Sequence, residues 1–484
     1  MSFVSAEFVE SARKNASCVA LIDEAGRSWT YDQLADEVDR LAPRISSEIP
    51  GRVVGILLLN SQRFLVTMLA IWRAGKVAVP LNYLLPPEDL AFILKDSGMG
   101  GLVSSTFFEE ALGKIRPLFG DKGTILMADD QSFIPASGGA EALEPRDPAL
   151  YLYTSGTTGR PKGVVLSHRN LISNVRSCET AGDFSSGDTF LCLLPFFHTY
   201  AITGTFLLPI LNGSTMVLVD RFQPAKVLKL VADHRVTCFL AIPSMYRVLA
   251  TTEGEFDVSS LRFPISGGEP LPAAVAESFE TRFGVSVFEG YGQTEASPVV
   301  SLNVPGARRP GTVGRPLPGV EVCVWNDAGE PVPPGVVGEL MVRGDNVMHG
   351  YHNLADETAQ TISGGWLHTG DLGTMDEDGF IRITGRKTDL IISAGENIFP
   401  REIEEALIEH PSVREVVVVG VPDEVRGEVP RAFVVPAEGR TLDEKDLRRF
   451  CKARIAGYKV PKTFAIVDDL PRNASGKVLK RELG

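Results

Sequence analysis

The stretch VVGILLLNSQRFLVTMLAIWRAGKVAVPLN (Val53–Asn82) decides the fold class. A short apolar run ends at Asn60 and Ser61, a helical apolar pattern follows, Gly75 stops it, and VAVP opens a second apolar run. Apolar runs on either side of a helix mark a strand–helix–strand unit whose parallel strands are buried on both faces. The pattern recurs along the chain in STMVLVD, the helix PAKVLKLVADHRV, the strand TCFLAIP and the helical PAAVAESFETRFG. The expected fold is α/β, with a large N-terminal domain of parallel sheets.

Past Asn303 the pattern changes. VPGARRPGTVGRPLPGVEVCVWNDAGEPVPPGVVGELMVRG is rich in Gly and Pro, and its short alternating runs between turn signals predict a β-rich, barrel-like subdomain at roughly 300–386. The chain then reads as a small α+β unit. Pro400 opens the helix REIEEALIEH and Pro411 stops it. VREVVVVGVP and RAFVVP read as strands, Thr441 and Glu444 have capping-box spacing ahead of the helix EKDLRRFCKARI, and TFAIVDDLP is a final strand. The charged, turn-prone TGRKTDLII predicts a hinge around this stretch, where it joins the two units.

A chain of 484 residues can bury more than one core, and 44% hydrophobic with 23% charged residues is ordinary for a globular protein. A formal net charge of -13 argues against a nucleic-acid surface and against steering to anionic membranes. An anionic ligand would need locally placed positive groups. Cys18, Cys178, Cys192, Cys238, Cys323 and Cys451 are scattered without a C-x-x-C pair, which fits neither a zinc site nor a disulfide framework and suits the cytoplasm. MSFVSAEFVESARKNAS is amphipathic but carries acids and lacks an apolar h-region, so no secretory signal is expected. The apolar TYAITGTFLLPILNGSTMVLV from Thr199 is broken by Pro209, Asn212 and Gly213, short of the roughly 20 apolar residues of a membrane helix. No integral membrane segment is expected, and the assembly expected is a monomer or homodimer.

YLYTSGTTGRPKGV (Tyr151–Val164) is too poor in bulky side chains to pack a core. Such a loop after a strand offers backbone N–H groups and the hydroxyls of Thr154, Ser155, Thr157 and Thr158 to phosphate oxygens. Gly156 and Gly159 permit close approach, and Lys162 adds a point charge. The phosphate loop G-x-x-x-x-G-K-S/T does not fit, because Pro161 stands where its second glycine belongs and Gly163 follows Lys162. That excludes a P-loop ATPase or kinase and leaves a flexible surface loop as the alternative.

Other segments decide between these readings. TSGTTGRPKG, PFFHTY (Pro195–Tyr200), SGGEPLP (Ser266–Pro272), GYGQTE (Gly290–Glu295), HTGD (His368–Asp371), TGRKTDLIISAGENIFP (Thr384–Pro400) and NASGK (Asn473–Lys477) stand in this order along the chain. Together they resemble the adenylate-forming superfamily of acyl-CoA synthetases, luciferases and peptide-synthetase adenylation domains, over nearly the whole chain.

The resemblance implies ATP-dependent activation of a carboxylic acid as an acyl-adenylate, then transfer to a thiol. It implies that Lys477 bridges the carboxylate and the α-phosphate, that Glu295 holds Mg²⁺, and that Thr294 assists at the phosphates. Tyr291 and Gly292 would meet the nucleotide on one side of adenine, and Gly267, Gly268, Glu269 and Pro270 on the other. Asp371 would accept hydrogen bonds from the ribose hydroxyls, with Arg386 a second ribose contact. Lys162 becomes secondary, steadying the loop or the leaving pyrophosphate.

His198 would position or gate between the ATP and acyl sites, since a carboxylate is already ionised near neutrality and needs no base. His349 and His352 have H-x-x-H spacing, but no third ligand is near in sequence. The family usually has Asp or Lys where Thr388 stands at the hinge. Gly395, with Ala394, would line a pantetheine tunnel, and Tyr458 and Lys462 would touch the CoA nucleotide. PFFHTY lacks the Asp that would pair with an amino acid's ammonium group. AITGTFLLPIL, FLAIPSMY and ASPVVSLN are apolar or small, which favours an acyl chain or aryl group over a dicarboxylate, and EGYGQTEASPVVSLN most resembles fatty-acid ligases, so the expected acid is a medium- to long-chain fatty acid, with an aromatic acid as runner-up. CoA is the expected acceptor, a carrier protein the alternative.

Overall fold

The computed structural model describes residues 3–128, 147–155, 160–472 and 478–483, with 120–122 and 155 described by backbone alone. The chain forms two compact units, Met1–Val322 with Val342–His368, and Cys323–Met341 with Thr369–Gly484.

In the first unit the decisive stretch folds as a strand, a helix and a strand: Val53–Leu57, Gln62–Arg73 and Val77–Pro80. The strands are parallel, with Val54 opposite Ala78, and both are buried along their whole length. Ser61 caps the helix by accepting the Phe64 N–H, and every residue from Phe64 to Trp72 is buried. A helix apolar all round is held between layers rather than laid on a surface. Its Trp72 indole donates to the Ala149 carbonyl at 2.7 Å.

These strands belong to a seven-stranded sheet ordered Gly350–Tyr351, Pro161–Ser167, Pro148–Ser155, Val77–Pro80, Val53–Leu57, Gly101–Ser104 and Thr124–Met127. A nine-stranded sheet has a parallel centre ordered Phe288–Gly292, Phe263–Ser266, Cys238–Ala241, Thr189–Cys192, Thr215–Leu218 and Val19–Ile22. Antiparallel Val299–Leu302 and Arg315–Pro316 extend one edge and Ser28–Thr30 the other. The expected helices of this region are Pro224–Asp233 and Ala273–Phe283.

The apolar stretch from Thr199 is one buried helical run. Ile202–Leu207 takes the wider π geometry between α-helical Thr199–Ala201 and Leu208–Asn212, and Gly213 at φ 91° ends it. Pro209 does not break it, because proline is tolerated in the first turn of a helical segment. Among the described residues no helix is long and apolar enough to cross a membrane.

Short strands fill the Gly/Pro-rich region: Val320–Trp325, Gly338–Gly344, Trp366–Met375 and Ile381–Arg386. The chain passes from one compact unit to the other within the first three of these. In the second unit Gly427–Pro436 pairs antiparallel with Val413–Asp423 and with Ile391–Ser393, and parallel with Thr463–Ile466. Helices Pro400–Ile408 and Glu444–Lys452 close its core through Ile403, Leu407 and Leu447 against Val418, Val434 and Phe464. The cap of the second helix is Asp443 rather than Thr441. The helix begins at Glu444, so the preceding carboxylate reaches the Asp446 N–H at 3.3 Å, and Thr441 lies too early in the chain.

His168, fully buried at the start of helix His168–Gly182, accepts the Val4 N–H on Nδ1 and packs edge-on to Phe3 and Trp72. Among the described residues its Nε2 has no hydrogen-bond partner. Burial pushes its pKa down to about 4, so the folded ring stays neutral while the unfolded ring gains a proton below its ordinary value of 6.5. Its contribution is therefore fully present above that value and is lost as pH falls toward 4, roughly 2 kcal/mol being gone by pH 5. His168→Phe removes the titration. The gap in melting temperature between this variant and the wild type is expected to shift in the variant's favour from pH 7.5 to pH 5, and an unchanged gap contradicts the assignment.

Candidate active site

In the first unit, several of the expected site segments leave the carboxyl ends of adjacent parallel strands. The loop with His198 follows Thr189–Cys192, Ile242 follows Cys238–Ala241, Gly267–Pro270 follow Phe263–Ser266, and Thr294–Glu295 follow Phe288–Gly292. In an open α/β sheet this edge is where ligands bind, because the strands themselves are covered on both faces.

Local packing fixes each segment. A Cβ on Gly267 would stand 3.1 Å from both Cζ and the hydroxyl oxygen of Tyr200, so the backbone passes close against the hydroxyl end of that ring. Gly268 has φ 82°, and Gly268, Glu269 and Pro270 are exposed. The loop is tied back at Leu271, whose N–H donates to Glu289 Oε1 at 3.0 Å, beside half-buried Tyr291. A Cβ on Gly292 would lie 2.0 Å from the Pro298 carbonyl oxygen, which leaves no room for another residue.

The turn Thr294–Ala296 is held from both sides. Thr294 Oγ1 lies 3.1 Å from Thr199 Oγ1, and Thr203 Oγ1 donates to the Ser297 carbonyl at 2.8 Å. Opposite, Met348 N–H donates to the Glu295 carbonyl at 2.8 Å, Asn346 Nδ2 to the Ala296 carbonyl at 2.9 Å, and the Tyr351 hydroxyl to Glu295 Oε1 at 2.9 Å. His198 packs 4.7 Å from the Phe197 ring, which stands edge-on to Tyr83. Burial lowers the His198 pKa to about 4, so its imidazole is neutral at physiological pH.

The strands flanking the signature loop pair antiparallel with Thr154 opposite Lys162 and Ser155 opposite Pro161. Thr154 is half-buried. Gly156, Thr157, Thr158 and Gly159 lie outside the described residues, as does Lys477. Lys162 is ion-paired with Glu357 and sits 5.5 Å from the centroid of the Tyr351 ring. Its charge is thus matched within the fold. His352 Nε2 lies 3.1 Å from the Asp96 carbonyl and its ring packs on Tyr151. Among the described residues no group of three or more His, Cys, Asp and Glu side chains could hold a metal.

In the second unit Asp371 and Arg386 are cross-strand partners joined by a 2.9 Å ion pair. Asp371 is 5% exposed, whereas the Arg386 side chain is 47% exposed. Ala394 and Gly395, at φ 51° and 85°, form the tip of a tight hairpin between Ile391–Ser393 and Glu396–Ile398. Tyr458 is exposed beside Lys459, and Lys462 is ion-paired with Asp423, holding that carboxyl near a pKa of about 2. Thr388 sits in the short turn Lys387–Asp389 and donates to Asp389 Oδ1 at 3.2 Å.

Sequence reasoning missed Thr199, Asn346, Tyr351 and Glu357. Tyr351 lies 56 residues from the carboxylate it holds, and no motif links the two.

The chain matches the family model described as AMP-binding enzyme over residues 8–352, and the AMP-binding enzyme C-terminal domain over 402–477. It is 39% identical over 484 residues to a feruloyl-CoA synthase of an Amycolatopsis species, covering 98% of this chain and 97% of the relative. It is 43% identical to a long-chain-fatty-acid–CoA ligase of Bacillus subtilis, covering 70% and 61%. The o-succinylbenzoate coenzyme A synthetase of Bacillus subtilis, solved in complex with ATP and magnesium ion, superposes with a TM-score of 0.89 at 32% identity, covering 99% and 98%. A sheet edge built from the family's motifs and matches over both family domains lead to one conclusion: the chain belongs to the AMP-binding, adenylate-forming enzyme family.

Proposed function

We propose that this chain is an AMP-forming acid–CoA ligase acting through an acyl-adenylate. A carboxylate oxygen of the acid bonds to the α-phosphorus of ATP, the bond to the β-phosphate oxygen breaks, and pyrophosphate leaves. The CoA sulfur then bonds to the acyl carbon and AMP leaves, the thiol proton passing to solvent. The observation that carries this reading is the alignment of the His198 loop, Gly267–Pro270, Tyr291 and Thr294–Glu295 along the carboxyl edge of one parallel sheet.

The first step brings an anion to a polyanion, so positive charge must be placed where it develops. Lys477 supplies it, and Lys162, already matched by Glu357, steadies the loop. Glu295 fits as the carboxylate for Mg²⁺. It is a hard donor with one oxygen engaged by Tyr351, and the absence of a three-ligand cluster among the described residues suits an ion otherwise ligated by phosphate and water. When bound, the ion offsets charge on the phosphates. Thr294, with Thr154, Ser155, Gly156, Thr157, Thr158 and Gly159, serves the phosphates. Gly267–Pro270, Tyr291 and Gly292 serve adenine. Asp371 and Arg386 serve the ribose, Gly395 the pantetheine arm, and Tyr458 and Lys462 the CoA nucleotide. A hinge at 387–388 between 1–386 and 389–484 belongs to the proposal and needs only backbone rotation.

The acid is a hydrophobic monocarboxylic acid. The uncharged segments from Ala201, Phe239 and Ala296 converge: Thr203 bonds Ser297, and a Cβ on Gly204 would lie 2.4 Å from Leu240 Cδ2. No Lys or Arg in these segments would pair with a second carboxylate. A medium- to long-chain fatty acid is the first reading. An aromatic acid is the second, favoured by the likeness to a feruloyl-CoA synthase. A cytoplasmic setting and a monomer or homodimer complete the proposal, in keeping with six cysteines that are all free thiols.

Pyrophosphate release assayed across acids of varied chain length and ring content is expected to show turnover with hydrophobic acids and sustained turnover only with CoA. No turnover with any acid overturns the proposal. Lys477→Ala is expected to slow adenylate formation about 100-fold or more while sparing thiolysis of supplied acyl-adenylate. Equal loss of both half-reactions refutes the role given to Lys477.

A further inference from the structure

We infer that Tyr351 is a positioning residue for the metal-binding carboxylate, fixing the Glu295 side chain so that a single oxygen is presented to a divalent cation. The inference rests on the reading of Glu295 as the magnesium carboxylate. Tyr351 stands on the edge strand Gly350–Tyr351, paired antiparallel to Pro161–Ser167 through Val164. Its backbone N–H donates to Thr358 Oγ1 at 2.8 Å, so the strand is pinned to helix Ala355–Thr361. Its hydroxyl donates to Glu295 Oε1 at 2.9 Å.

A carboxylate oxygen tied in this way restrains rotation of the side chain and spends one of its lone pairs, while Oε2 keeps both of its own. Glu295 Oε2, the oxygen that Tyr351 does not engage, is the one offered to a cation. Mg²⁺ demands near-ideal octahedral geometry, so a preset single-oxygen ligand suits it better than a mobile one. Groups that orient a metal ligand typically contribute 10- to 100-fold in metal affinity.

The other face of Tyr351 ties the carboxylate to the signature hairpin. Lys162 lies over the ring while its charge is met by Glu357, which is carried on helix Ala355–Thr361. Lys162, Tyr351 and Glu295 thus form one chain of contacts from the strand leaving the loop to the carboxylate. Lys162 acts here by packing and by its ion pair, not as a phosphate clamp.

Tyr351→Phe keeps the ring under Lys162 and removes only the hydroxyl. Manganese binding to the enzyme in the presence of ATP, read by electron paramagnetic resonance, is expected to weaken about tenfold. The magnesium concentration giving half-maximal pyrophosphate release is expected to rise in parallel, with most of the lost rate recovered at saturating magnesium. A fall in kcat with manganese affinity and magnesium dependence both unmoved would mean a merely structural tyrosine and would overturn the inference. Glu295→Gln separates the layers. If it leaves manganese binding unchanged, the reading of Glu295 itself fails, and if it weakens binding while Tyr351→Phe does not, only the role of Tyr351 fails. Should Tyr351→Phe not fold, Thr358→Val, which frees the Tyr351 backbone, must give the same direction of change in manganese affinity for the inference to stand.

Discussion

Parallel strands buried on both faces can meet a ligand only at their ends. That constraint organises the first unit. Phe288–Gly292, Phe263–Ser266, Cys238–Ala241 and Thr189–Cys192 run side by side in one direction, so segments far apart in sequence leave the sheet along a common edge. The close backbone packing that follows depends on it. Gly267 can lie against the end of Tyr200, and Gly292 against the Pro298 carbonyl, only because their strands are fixed in register. The turn carrying Glu295 then sits between Thr199 and Thr203 on one side and Asn346, Met348 and Tyr351 on the other.

Charge is handled locally on this scaffold. A chain with a net charge of -13 must bring a polyanionic nucleotide to an anionic acid, so each cation near the site needs a defined task. Lys162 is matched by Glu357 and Tyr351, and Arg386 is matched by the nearly buried Asp371. His198 stays neutral because its half-buried ring is poorly solvated. The positive charge that the first step requires is the one proposed for Lys477, which lies outside the described residues.

What the sequence revealed follows from how locally each feature is encoded. Val53–Asn82 was legible because strand, cap, helix and glycine stop are consecutive and each has its own signal. The site motifs were legible because they are short and stand in a fixed order. The helical run from Thr199 was read as broken because propensity counts Pro209 as a breaker, whereas tertiary burial and a π turn carry the helix through it. The cap at Glu444 was assigned to Thr441 by spacing, though Asp443 lies nearer the first amide to be satisfied. Tyr351 was invisible because its hydrogen bond to Glu295 depends on an edge-strand pairing that no local pattern announces.

The central claim is that the carboxylate itself attacks the α-phosphorus. The most direct test gives the enzyme a hydrophobic acid labelled with ¹⁸O in its carboxylate, together with ATP and CoA, and weighs the products by mass spectrometry. An acyl-adenylate path places one labelled oxygen from the acid in AMP and none in pyrophosphate. Unlabelled AMP, or label appearing in inorganic phosphate beside ADP, would contradict the account.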